Sequence, residues 1–121
     1  MFPKMTQAFA LYGLALTILM VLAITVASLL PRGGIGDPGT ADKSMHILAY
    51  GLATAPVVFG RPKSFLMVVV LVSIWGGIVE LAQPLVGRNG STQDALANAV
   101  GSFTGAVAAR SANAWIRNRT R

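Results

Sequence analysis

Residues 8–30 form an uninterrupted run of 23 residues without a charge, most of them apolar. As a helix it would reach about 34 Å, at about 1.5 Å per residue. The hydrocarbon core of a bilayer is about 30 Å thick. In lipid every backbone polar group needs an internal partner, so such a run spans as a helix. A secretory signal has a shorter apolar region, about 7–15 residues, ending at a small-residue cleavage site. This run is longer and ends in Leu29-Leu30. A retained membrane helix is therefore expected.

The rest of the 121-residue chain fits that environment. It is 54% hydrophobic with a mean hydropathy of +0.63, and 12% of residues are charged. Soluble domains carry about 25% charged residues. There is no cysteine, which excludes disulfides and thiolate metal sites. The segment 31–41 (PRGGIGDPGTA) reads as an exposed loop. Three more apolar segments follow, the second containing Pro56. Membrane helices tolerate such a proline when neighbours satisfy the freed carbonyl. Gly60-Arg61-Pro62-Lys63 reads as a tight basic turn, and Pro84 ends the third segment near Gln83. The expected fold is all-α: one domain over 1–121, a polytopic four-transmembrane-helix bundle. Its helices fall at about 8–30, 42–59, 64–83 and 93–116.

Four spans bring both termini to one side. That side collects Lys4, Arg61, Lys63, Arg110, Arg117, Arg119 and Arg121. The other collects Arg32, Lys43 and Arg88 with all four acids, Asp37, Asp42, Glu80 and Asp94. The net charge of +6 then divides into +7 and −1. The positive-inside rule makes the first side cytoplasmic. The basic balance is thus a topology signal with anionic-lipid attraction, and no nucleic-acid partner is expected. The expected location is a bacterial inner membrane, multi-pass, with cytoplasmic termini.

Ionisable residues within membrane segments are candidate functional groups. Asp42, His46 and Tyr50 follow i, i+4, i+8 spacing with Lys43 beside them, along one helix face. Glu80 and Gln83 lie near the end of the third segment, one turn beyond Gly76 and Gly77. Asp94, Asn98, Gly101 and Gly105 share a face of the fourth. The glycines there suit a packing seam against the second or third helix. The plainer alternatives are structural. Asp42 suits a helix N-cap, Ser91-Thr92-Gln93-Asp94 fits a capping box, and Glu80 could pair with Arg88 or Lys43. As chemistry, Glu80, His46 and Asp94 are the candidate catalytic groups for proton transfer. Asp42, Lys43, Tyr50, Gln83, Arg88 and Asn98 are the candidate ligand-binding groups. Arg88 and Lys43 suit an anionic head group. Asp42, His46, Glu80 and Asp94 are also metal-ligand types, but no standard ligand motif is present, so neither metal nor cofactor is expected. No nucleophile elbow, phosphate loop or H-E-x-x-H occurs.

The blocks Asp42-Lys43-x-x-His46-x-x-x-Tyr50, Glu80-x-x-Gln83-x-x-x-x-Arg88 and Asp94-x-x-x-Asn98-x-x-Gly101-x-x-x-Gly105 resemble, in order and spacing, the VanZ-like family of small bacterial membrane proteins. The resemblance covers about residues 42–105. It implies a compact helical membrane protein with its motif residues toward the outer side. The family's name-giving member is associated with resistance to the glycopeptide teicoplanin. Other members occur beside envelope-polysaccharide functions.

The leading expectation is a cell-envelope membrane protein whose outer-leaflet polar site binds or modifies a lipid-linked component. A non-enzymatic assembly partner, whose cluster only packs helices against a protein or another copy, is the second. A small transporter or channel subunit is the third. Against transport, the inner half offers few polar residues, chiefly Thr17, Thr54, Ser64 and Ser73.

Overall fold

The computed structural model describes residues 2–30 and 40–121, with side chains from 3–30 and 43–121. Asp37 and Arg32 lie outside the described residues, as does the side chain of Asp42. The described residues form four helices: α1 (Phe2–Leu29), α2 (Thr40–Gly60), α3 (Phe65–Ala82) and α4 (Thr92–Arg119). Short 3-10 turns, Pro62–Ser64 and Gln83–Val86, flank α3. No strand occurs among the described residues, so the all-α expectation is met.

Only part of the span expectation follows. α1 and α3 with its flanking turns, as Pro3–Leu29 and Pro62–Val86, are long and apolar enough to cross a membrane. α2 and α4 are long but do not reach that apolarity, because each carries polar residues such as His46, Thr54, Asn98 and Asn113.

The boundaries shift in places. α1 begins at Phe2, not near residue 8, and α4 continues to Arg119 instead of fraying after Ile116. Arg117 and Arg119 lie in the last turn of α4, where cations favour a helix C-terminus. Arg119 also stacks over Trp115, 4.7 Å from the ring centroid. α3 leaves α-helical geometry at Ala82, where Pro84 turns the chain into a 3-10 turn ending at Gly87 with a φ of 76°.

The chain runs up and down four times. At one end Phe9 meets Phe59 edge-on, with centroids 5.1 Å apart. There Arg61 Nε donates to the Ala10 carbonyl at 3.1 Å, and Asn113 Nδ2 to that of Phe59 at 2.7 Å. Arg110 lies over the Phe65 ring. At the opposite end Gln83 and Arg88 donate to carbonyls of α1. α2 packs between α1 and α4, and α3 lies mainly on α4. The core is Tyr50, Val57, Val58, Val68 and Val72 with Ala106 and Ala109.

Two close approaches set this packing. A Cβ on Gly13 would come within 2.5 Å of the Pro56 carbonyl oxygen, so α1 crosses α2 at its proline. Thr17 Oγ1 accepts the backbone N–H of Val57 at 3.2 Å, tying α1 to α2 beside the proline. On the other side of α2, Gly101 and Gly105 face the backbone of Ile47 and Gly51. The expected seam therefore exists, and its partner is α2.

Candidate functional site

The site is built where α2 and α4 begin and α3 ends. His46 lies in the second turn of α2, Glu80 in the last turn of α3, and Asp94 and Asn98 in the first two turns of α4. Asn98 is fully buried, Tyr50 is 1% exposed and Glu80 is 5% exposed. The His46 side chain is 12% exposed.

Asn98 is the centre. Its Oδ1 accepts from His46 Nδ1 at 2.7 Å, and its Nδ2 reaches toward the Gly76 carbonyl at 3.5 Å. An amide oxygen can only accept, so Nδ1 carries the imidazole proton in this arrangement. Gly76 permits this by bareness. A Cβ there would come within 3.0–3.1 Å of Asn98 Cβ and Nδ2 and of Tyr50 Cε1. The neighbouring Gly77 faces nothing within 4 Å, so one glycine of the pair serves close approach.

Glu80 Oε2 accepts the backbone N–H of Ser91 at 3.2 Å, while Oε1 lies 4.0 Å from His46 Nδ1. Buried Oε1 has no hydrogen-bond partner. Half of the expected capping box forms: Ser91 Oγ accepts the Asp94 N–H at 3.0 Å. The Ser91 N–H goes to Glu80 and not to Asp94. The Asp94 carboxylate is thereby directed to the cluster. Ligand-type atoms of His46, Glu80 and Asp94 all lie within 4.8 Å of one another. No spacing within one helix reveals that group. Ser91→Ala should cost about 1 kcal/mol, the usual loss for a serine cap, measured by SDS titration of the reconstituted protein.

The expected ion pair between Glu80 and Arg88 or Lys43 does not form. Among the described residues no lysine or arginine nitrogen lies within 4.0 Å of either Glu80 or Asp94. Arg88 Nη1 instead donates to the Ala27 carbonyl at 3.0 Å, and Gln83 Nε2 to that of Ser28 at 3.2 Å. Both side chains satisfy the open C-terminal carbonyls of α1. Gln83, a predicted ligand-binding residue, is thus a buried tie between helices. Arg88 keeps a second aspect. With His46, Tyr50, Met45, Ala49 and Ala27 it lines an open groove of about 150 Å³ between α1 and α2. Lys43 is half-buried on α2. The predicted role of Asp42 falls on a side chain outside the described residues.

Two participants, Thr25 and Ser102, escaped the sequence reading, and Ser91, read there only as part of a cap, takes on a second role. Ser91 links Glu80 to α4. Thr25 Oγ1 accepts from Trp75 Nε1 at 2.8 Å, joining α1 to α3. Ser102 is fully buried on α4, its hydroxyl without a partner. A polar residue within an apolar helix was the available signal for Thr25 and Ser102. Comparison with known proteins adds no relative: no family model matches the chain, nor does any curated protein sequence or solved structure.

Proposed function

We propose that this chain is a VanZ-like cell-envelope protein spanning the bacterial inner membrane four times. Its polar end faces outward and binds the anionic head group of a lipid-linked envelope component. The observation that carries the reading is the meeting of His46, Glu80, Asp94 and Asn98 from three helices at one end of the bundle. These are residues of the three blocks on which the resemblance rests. A groove bearing Arg88 and His46 opens beside them, and a guanidinium suits phosphate or carboxylate.

The membrane assignment draws support from the surface. Leu66, Leu71, Leu81 and Leu85 of the α3 region are at least half exposed, as are Leu11, Leu19 and Leu22 of α1. Soluble monomers rarely expose contiguous apolar surface of that kind. Lys4, Arg61, Lys63 and Arg110 belong to the end opposite Glu80 and Asp94, which supports cytoplasmic termini. Thr17 and Thr54 are buried and committed to backbone groups, so they offer no polar pathway for transport.

The test is native mass spectrometry of the full chain in nanodiscs made with extracted envelope lipids. A bound lipid mass should be retained and should disappear in Arg88→Ala, with membrane abundance unchanged. A helix-packing role predicts the opposite, with abundance falling and no lipid mass to lose. The link to glycopeptide resistance is checked by teicoplanin susceptibility of cells expressing the chain, which should fall and return to normal with Arg88→Ala.

A further inference from the structure

We propose that His46, Glu80 and Asp94 form a binding site for one divalent transition-metal cation of the Zn²⁺ or Mn²⁺ class. Three independent features support it. Ligand-type atoms from three different helices lie within 4.8 Å of one another. Glu80 is 5% exposed, and its buried Oε1 has no hydrogen-bond partner. That oxygen faces His46 Nδ1 at 4.0 Å, too far for a hydrogen bond. Finally, no lysine or arginine among the described residues pairs with either carboxylate, although Arg88 reaches a carbonyl nearby. Buried charge is ordinarily paired or coordinated to metal.

The spacing suits a cation after a small contraction. With bonds of about 2.0–2.2 Å, tetrahedral ligand atoms lie roughly 3.3–3.6 Å apart. Rotation of the half-buried Asp94 side chain can close the difference. The imidazole proton on Nδ1, now held by Asn98 Oδ1, would move to Nε2 as Nδ1 turns its lone pair to the metal. Asn98 Oδ1 holds the ring in the metal-free protein and gives up that hydrogen bond on ligation. One imidazole and two carboxylates favour a transition cation over Ca²⁺ or Mg²⁺. Two carboxylates also neutralise a divalent charge. Three protein ligands leave at least one position open. Its use, to take an oxygen of the head group, rests on the function proposed above; the cation site rests on its own geometry.

The experiment is Zn²⁺ titration of the delipidated, chelator-stripped full chain by calorimetry, with metal content after desalting as a second readout. One Zn²⁺ per chain is expected, resistant to about 100-fold excess Mg²⁺. Glu80→Gln keeps the shape and should weaken binding at least about 100-fold; Asp94→Asn should weaken it at least about 10-fold. Asn113→Ala, at the opposite end, should bind as the parent does. If Glu80→Gln fails to fold, Asp94→Asn and His46→Gln carry the test. No saturable binding, displacement by Mg²⁺, or undiminished binding in these variants overturns the proposal. Zn²⁺ binding with no retained lipid upholds the metal site and defeats the head-group reading. Lipid retention without Zn²⁺ binding does the reverse.

Discussion

Replacing Gly105 with leucine should drive α2 and α4 apart and cost about 3 kcal/mol or more, the upper part of the usual range for overpacking. A Cβ at this position would already run into the backbone of Gly51, and one at Gly101 into that of Ile47. These obstacles are backbone atoms and cannot swing aside. The helices must separate, and the separation begins about one to two turns from Asn98. SDS titration of the reconstituted protein should show the midpoint fall sharply. Gly77→Leu is the matched control, because nothing lies within 4 Å of a Cβ there. It should leave stability near the parent's. Equal losses for both would mean that α2 and α4 do not meet at this seam.

Replacing Asn98 with leucine should be the most damaging change within the polar cluster. It removes the hydrogen bond with His46 Nδ1 and the contact to the Gly76 carbonyl. Each buried group left without a partner costs about 1–3 kcal/mol. The sum is roughly 2–6 kcal/mol, read from the same unfolding measurement. The larger volume also has to fit against Gly76 and Tyr50, whose atoms already stand close. A double-mutant cycle between His46→Ala and Asn98→Ala should return a coupling of about 1 kcal/mol, within the range for residues in one network. Additive effects would place His46 and Asn98 in separate networks and dissolve the centre of the site.

The helical character of the chain was readable because apolar run length and breakers speak locally. The run at 8–30 gave α1, and Pro62 and Pro84 bracket α3. The ends were less legible. Phe2 to Gln7 and Arg117 to Arg119 are helical though neither stretch is apolar, since a helix continues past its apolar stripe when nothing interrupts the backbone. Membrane crossing by α2 and α4 was inferred from their apolar segments, which do not reach the apolarity of a membrane span in either helix.

Within the site, spacing on single helices found His46, Glu80, Asp94 and Asn98, because turns of one helix stack regularly. It misjudged which groups pair across helices. Arg88 was a candidate ion-pair partner of Glu80, about two helical turns away in sequence, and Gln83 a candidate ligand-binding group. They answer instead to Ala27 and Ser28, since the open carbonyls of α1 need donors and lie nearer.

By itself the sequence determined a helical, lipid-suited chain, the asymmetric placement of its charges and the small-residue face of α4. Each follows from residue type and helical period. The tertiary structure alone decided that α4 seats on α2, that Ser91 answers to Glu80, and that Glu80 keeps an oxygen without a partner. Those outcomes depend on which backbones approach closely enough to exclude other partners. The packing fixed which carboxylate bears the cost of burial.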